Sequence, residues 1–412
     1  MVISSSSSTR STPTSASSSV NVNSLLDQLG DKILEEEIHR GGIHSSTDIN
    51  RNINSDIGLN TEISSPSSSI LCCIAIHEEA YIDEFVDYHL GIGFRKVIVY
   101  DNSDHYELKQ WGDERNRRRR RKQRRVDGKD SIPSISSNDL TVTNDHANDI
   151  ENNEVHVIHF PGKGKQRGAY LDCAQRAYRG EFGTGIENAA FWDVDEFLIL
   201  KQHTTIDELL EEYMVNKGAS SLSINWHTFR QGNRNVYEPL PVTKRFLYRE
   251  REVQRHVKSM VRLEDMDMTT FKNGHYPQLL SEKIRIDTNG TELPESMFNY
   301  NGPNNVAILN HYNTKSYAEY IKKRERGRAA AKDWNPDDRH PGYEKRLKEA
   351  VDEYVGAMQK YNYTSSYYDL GTDGGDDDDM PSNGTTVYDD TAWTAMKRVC
   401  PKYALYDLLN EI

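Results

Sequence analysis

The sequence has no long hydrophobic run, few cysteines and no excess of positive charge, and each absence removes a class of protein. No stretch approaches the roughly 18 consecutive apolar residues of a membrane-crossing helix, and the N-terminus has no signal-like apolar segment. The chain therefore reads as soluble, with no membrane span expected in it. Only four of 412 residues are cysteine (Cys72, Cys73, Cys173, Cys400), at spacings that match neither a metal set nor a disulfide framework. Cys72 and Cys73 lie in an apolar run and read as buried thiols. Lys and Arg number 51 against 64 Asp and Glu, a net charge of -13, which argues against nucleic acid as the general partner. Hydrophobic residues are also scarce, 36% against 28% charged, so part of the chain is expected to be disordered. The sequons at Asn289, Asn362 and Asn383 are near what chance supplies in an Asn- and Thr-rich chain.

What is present is organised around one apolar, strand-rich region at about 70–312, enough for one substantial core. Residues 1–69 are Ser-, Thr- and Asn-rich and read as a disordered tail, with a hint of amphipathic helix at 20–38. Ile70-Leu-Cys-Cys-Ile-Ala-Ile76 has the continuous apolar character of a buried parallel strand. A helical stripe follows at 80–90, then the strand Lys96-Val-Ile-Val-Tyr100, which together make a βαβ unit. Residues 104–154 carry an Arg-rich run from Arg115 to Arg125 and read as a disordered insertion. The rhythm resumes with a strand at 155–160, a helix at 166–178 and a strand at 189–200. Thr205 and Glu208 form a capping box before the next helix. Strands are expected at 220–226, 258–263 and 306–312, and a long helical region at 316–361. The domain is assigned to 70–365, and 366–412 reads as an acidic linker with a short packed segment.

The chemistry points to Phe191-Trp192-Asp193-Val194-Asp195-Glu196-Phe197. On an extended chain, residues i and i+2 face the same side, so Asp193 and Asp195 would project together while Val194 packs inward. Burying two carboxylates in an apolar strand is costly without a cation or donors, and hard oxygen ligands suit Mn²⁺ or Mg²⁺. Such a cation neutralises the charge that develops on a departing pyrophosphate. Asp-x-Asp also occurs at Asp265-Met-Asp267 and in the run Asp376 to Asp379, outside any apolar strand.

Four segments in order resemble the GT-A-type glycosyltransferases of family 92 and their family-2-like relatives. They are Ile76-His77-Glu78-Glu79-Ala80-Tyr81-Ile82-Asp83-Glu84-Phe85, running on to Tyr100-Asp101-Asn102-Ser103; Phe191 to Phe197; Val257-Lys258-Ser259, preceded by Trp226-His227-Thr228-Phe229; and Asn310-His311-Tyr312 with Lys315-Ser316, Lys323 and Arg326-Gly327. Together they span about 70–330. The resemblance implies an α/β fold of GT-A (Rossmann-like) type, a mixed, mostly parallel sheet flanked by helices. It implies an inverting hexosyltransferase, galactose transfer being the best-known activity, with a nucleotide-sugar (UDP-sugar) donor and a glycan or glycoprotein acceptor. Asp193, Asp195 and His311 would hold Mn²⁺ or Mg²⁺, with His275 the competing histidine. Glu78, Asp101, Gln166, Asp193, Lys258 and Lys315 would contact the nucleotide-sugar, Lys323 a phosphate, and Trp226 the sugar. Asp101-Asn102-Ser103 is equally good turn chemistry. Family members are typically anchored in the Golgi by an N-terminal membrane helix, so a Golgi or secretory location is the expectation from the resemblance; no signal or anchor is read in this sequence, and the alternative is a cytoplasmic location.

Inverting transfer needs a general base for the acceptor hydroxyl. Glu238, Glu264, Asp265 and Asp267 are the candidates, and the sequence does not rank them. Two other readings stand beside the enzyme. His77, where the family usually has Asn, and the Arg-rich segment admit a catalytically inactive relative. The run at 115–125 admits a polyanion- or nucleic-acid-binding protein.

Overall fold

In a computed structural model of the chain, the described residues are 67–126, 153–232, 234, 236–327 and 386–408. The Ser-rich tail up to residue 66, the helix expected at 20–38, residues 127–152, the helical expectation beyond 327 and the Asp376 to Asp379 run lie outside them.

The first half is a parallel sheet. Strand β1 (Ser69–Ala75) is buried along its whole length, which explains its unbroken apolar sequence. Helix α1 (Ile82–Gly91) packs Phe85 and Val86 inward and leads to β2 (Lys96–Asp101). Helix α2 (Lys109–Val126) then precedes β3 (Val155–His159), and α3 (Gln166–Tyr178) precedes β4 (Asn188–Phe191). Next come β5 (Glu196–Leu200), α4 (Ile206–Leu210), β6 (Ser221–Thr228), the single turn α5 (Val242–Arg245), β7 (Tyr248–Glu250), β8 (Gln254–Arg262), β9 (Arg285–Asp287), β10 (Ala307–His311) and α6 (Tyr317–Arg326). The C-terminal segment supplies β11 (Thr386–Tyr388), α7 (Thr391–Val399) and α8 (Leu405–Leu408). The sheet order is β3-β2-β1-β4-β8-β6-β10-β5, with β9 beside β6. β3, β2, β1 and β4 run parallel, whereas β8 and β5 run antiparallel to their neighbours. This is the mixed, mostly parallel α/β sheet flanked by helices that the sequence pointed to.

Four expectations change. The strand expected at 189–200 is two strands. β4 pairs with β1 and β8, whereas β5 pairs with β10, so the chain must turn between them. Glu196 N–H donates to the Asp193 carbonyl at 3.0 Å and closes that turn. Asp193 and Asp195 are therefore turn residues, and strand alternation is not what aims them.

Part of the disordered insertion expected at 104–154 is helical, because α2 spans Lys109–Val126. Arg115 anchors it, with Nη2 2.6 Å from Asp87, Nε 3.0 Å from Glu154 and Nη1 3.3 Å from Asp83. Asn116 Nδ2 donates to the Val155 carbonyl at 2.8 Å, and a Cβ at Gly112 would overlap Val157. Helix α2 is thus docked on β3 by polar contacts that hydrophobic patterning does not register.

Cys72 is not a thiol, because it is disulfide-bonded to Cys173, which ties β1 to α3. The bond joins residues 101 apart, so no local spacing announces it. Cys73 is a buried thiol, and its burial pushes the pKa up. Lastly, the helix that starts after the Ser316–Glu319 capping box meets Gly327, at φ 84°, which ends it.

Candidate functional site

The turn between β4 and β5 lies at the C-terminal edge of the parallel half-sheet, the edge where open α/β sheets bind ligands. Its carboxylates are not bare: those of Asp195 and Glu196 are buried, and that of Asp193 is partly exposed. Asp193 Oδ1 accepts from Gln166 Nε2 at 2.8 Å and from the Tyr170 hydroxyl at 3.2 Å, both on α3. Its Oδ2 accepts from Lys258 Nζ on β8 at 2.9 Å. Asp195 Oδ2 lies 2.5 Å from Lys323 Nζ on α6 and 4.0 Å from Lys315 Nζ, and its Oδ1 lies 3.5 Å from His311 Nε2 at the end of β10. Glu196, fully buried, accepts the Asp193 N–H and lies 3.2 Å from Lys258.

The titration shifts follow from this geometry. Burial pushes the Asp195 carboxyl up, but Lys323, His311 and Lys315 together outweigh it and hold the group well below the usual carboxylate range. Burial likewise opposes, and Lys258 reverses, the shift of Asp193, which ends lowered. Glu196 has no comparable compensation, and burial raises it to about 7 despite the pull of Lys258. Lys258 is raised, because Asp193 and Glu196 more than offset its burial. Lys315 is lowered, mainly by burial, against the pull of Glu78 and Asp195.

A cavity of about 330 Å³ opens beside Asp195, lined by His77, Glu78, Tyr81, Thr314, Glu319 and the cations Lys315, Lys322, Lys323 and Arg326. Arg326 ties it to β1, bonding the Ile76 carbonyl and the Glu78 carboxylate. Lys315, at φ 55°, lies 4.2 Å over the Tyr81 ring. Tyr81 in turn donates to Glu319, which Arg245 grips through both Nη atoms at 2.8 Å.

The residues singled out in the sequence divide accordingly. Gln166, Asp193, Asp195, Lys258, His311, Lys315 and Lys323 converge on the turn, and Glu78 lies in the adjoining cavity. Asp101 is committed elsewhere: its carboxylate oxygens accept the Ser103 and Leu108 N–H groups at 2.9 and 2.8 Å. His275 Nδ1 faces the Val257 carbonyl at 3.0 Å, and its ring packs on Trp226. Trp226 is itself wedged among His256, His275 and His311, a packed position rather than an open sugar platform. Among the base candidates, Glu238 pairs with Arg234, Asp265 with Lys283, and Asp267 with Thr269. Among the described residues no hydrogen bond or ion pair joins these, or the exposed Glu264, to Asp193 or Asp195. Sequence reasoning gave no role to Tyr170, Glu196 or Arg326. Glu196 was signalled only by its place in the motif, and Tyr170 by its position one helical turn beyond Gln166.

The donor types suit a divalent cation, although among the described residues the ligand atoms of Asp193, Asp195 and His311 do not all lie within 4.8 Å of one another. His311 Nε2 and Asp195 Oδ1 are too far apart for a good hydrogen bond, and they offer imidazole and carboxylate ligands of the kind Mn²⁺ accepts. Among the described residues, His311 Nδ1 and Glu196 Oε1 are buried without a hydrogen-bond partner.

No protein-family profile matches the chain. Over 285 residues it is 22% identical to the glycosyltransferase family 92 protein Os08g0121900 of Oryza sativa subsp. japonica, covering 67% of this chain and 39% of the relative. Over 249 residues it is 22% identical to the glycosyltransferase family 92 protein RCOM_0530710 of Ricinus communis, covering 58% and 34%. The chain resembles glycosyltransferase family 92. It spans less than two fifths of the length of either relative. Among the described residues no helix is long and apolar enough to cross a membrane.

Proposed function

We propose that this chain is a glycosyltransferase that moves a hexose from a nucleotide-sugar to a glycan acceptor. The observation that carries the reading is the Asp193–Asp195 turn, with Asp195 buried, set against a cavity lined by four cations. Such a cavity matches a diphosphate, which bears its charge on several oxygens at once. In the reaction the acceptor oxygen forms a bond to the anomeric carbon, and the bond from that carbon to the diphosphate oxygen breaks. Negative charge then develops on the leaving group, where Lys315, Lys323 and Arg326 stabilise it. Asp193, Asp195 and His311 are the residues that would hold Mn²⁺ or Mg²⁺, which when bound supplies further charge neutralisation.

Inversion, a UDP donor and galactose are the finer proposals, supported by the family-92 resemblance. The acceptor's proton goes to a base that none of the contacts above identifies. A secretory location is supported by the Cys72–Cys173 bond, because disulfides persist chiefly in oxidising compartments.

A thermal-shift screen of UDP-sugars with and without Mn²⁺ tests the donor and the metal together. One donor is expected to stabilise the protein in a Mn²⁺-dependent way. In Asp195→Ala that shift disappears and transfer falls at least about 100-fold, since the loss removes charge stabilisation at the leaving group. A Mn²⁺-dependent shift without turnover, for any acceptor glycan, is the result that favours the inactive relative.

A further inference from the structure

We infer that Lys323 is an exchangeable counter-ion: it occupies Asp195 when no divalent cation is bound and turns into the adjacent cavity, toward a diphosphate, when one is. This deepens the proposed function and rests on its assignment of a metal to Asp195.

The two acidic residues of the turn each hold a lysine, and the two lysines differ in what they can do. Lys258 is fully buried on β8, between Asp193 at 2.9 Å and Glu196 at 3.2 Å, and among the described residues these two are its hydrogen-bond and ion-pair partners. It is a fixed part of the site. Lys323 sits on α6 with 29% of its side chain exposed, and its ammonium reaches Asp195 Oδ2 at 2.5 Å and donates to the Asn313 carbonyl at 3.0 Å. The same side chain lines the cavity shared with Lys315, Lys322 and Arg326. It therefore has an exit that Lys258 lacks, and the exit leads to the place where a diphosphate fits.

A divalent ion held by His311 Nε2 and Asp195 Oδ1 would sit on the same carboxylate whose Oδ2 holds Lys323, and repulsion between the two cations favours release of Lys323 into the cavity. The displaced ammonium would join three cations in the cavity, an arrangement that is favourable only with an anion present. Metal and diphosphate thus favour each other's binding through one side chain, and by linkage the effect is reciprocal. Asp195 is compensated in either state, which avoids the cost of a bare buried carboxylate.

The test measures Mn²⁺ binding to the full-length, nucleotide-free protein by the loss of the free-Mn²⁺ paramagnetic resonance signal, so it needs neither donor nor acceptor. Lys323→Gln is expected to bind Mn²⁺ about tenfold more tightly than the wild type, within the usual range of coupling between linked sites. Inorganic pyrophosphate binding, followed by calorimetry, is expected to weaken in the same variant. Arg117→Gln, a neutralisation at an exposed position on α2, outside the cavity lining, is expected to leave Mn²⁺ affinity unchanged. Circular dichroism confirms that each variant is folded. Equal Mn²⁺ affinity in wild type and Lys323→Gln, abolished in both by Asp195→Asn, overturns the exchange and leaves the metal site standing. Absence of Mn²⁺ binding in both proteins overturns the exchange and the metal reading together.

Discussion

Glu319 shows how one side chain holds the wall of the site. Its carboxylate takes both Nη atoms of Arg245, the Tyr81 hydroxyl at 2.7 Å and the Ser316 N–H at 3.0 Å. Burial alone would raise its pKa, but Arg245 outweighs burial and the group is held at about 2, below its ordinary 4.5. A depressed carboxylate stabilises the fold above the unfolded-state value, and that stability is lost as pH falls through the folded-state value. The window therefore runs from about pH 4.5 down to about pH 2, and the contribution at neutral pH is about 3 kcal/mol. Urea denaturation over a pH series is expected to show this loss in the wild type. Glu319→Gln should be weaker by about that amount at pH 7 and flatter across the acid window, since the charge it removes is the one that titrates. Equal slopes in the two proteins would refute the assignment. The local consequence reaches the cavity, because Tyr81 lies under Lys315 and is positioned by this cluster.

Helix α2 is held by charge rather than by an apolar stripe. Arg115 is mostly buried, with Asp87, Glu154 and Asp83 around it, and their pull raises its pKa although burial opposes it. Removing one member of a buried ionic cluster costs about 3–5 kcal/mol, because charges are left uncompensated. Arg115→Ala is therefore expected to destabilise the protein by that order in chemical denaturation. Arg117→Ala, at an exposed position on the same helix, should stay within about 0.5 kcal/mol. The same contrast explains what the sequence made legible. β1, α1 and β2 were readable because their buried faces are written in apolar residues at strand and helix periods. The boundary of α2 was not, because an Arg-rich segment carries no such period and its partner Glu154 lies 39 residues away. The break between β4 and β5 was hidden for the opposite reason, since apolar residues flank the turn on both sides and read as one strand. Within the site, Asp193 and Asp195 stood out in the motif. Their pairing with Lys258 and Lys323 did not, because those partners come from 65 and 128 residues downstream.

At the scale of the whole molecule, the Cys72–Cys173 bond closes a loop that contains α1, β2, α2, β3 and about half of α3. A cross-link over 101 residues restricts the unfolded chain far more than the folded one, by about 4–5 kcal/mol in the chain-entropy account. Both cysteines are fully buried, so a reductant reaches the bond only when the sheet opens. Dithiothreitol is therefore expected to leave the native protein intact at room temperature, yet to lower its denaturant midpoint once equilibrium unfolding is allowed. A variant carrying Cys72→Ala and Cys173→Ala should be less stable than the oxidised wild type and insensitive to the reductant. That insensitivity separates the cross-link from packing, because replacing two buried sulfurs with methyl groups also removes contacts, and those losses do not depend on redox conditions. If dithiothreitol shifts the wild type and the double variant equally, or shifts neither, the bond contributes nothing and the support it lends to an oxidising compartment falls with it. If only the wild type moves, the parallel half-sheet that carries Asp193 depends on a bond that forms in an oxidising environment.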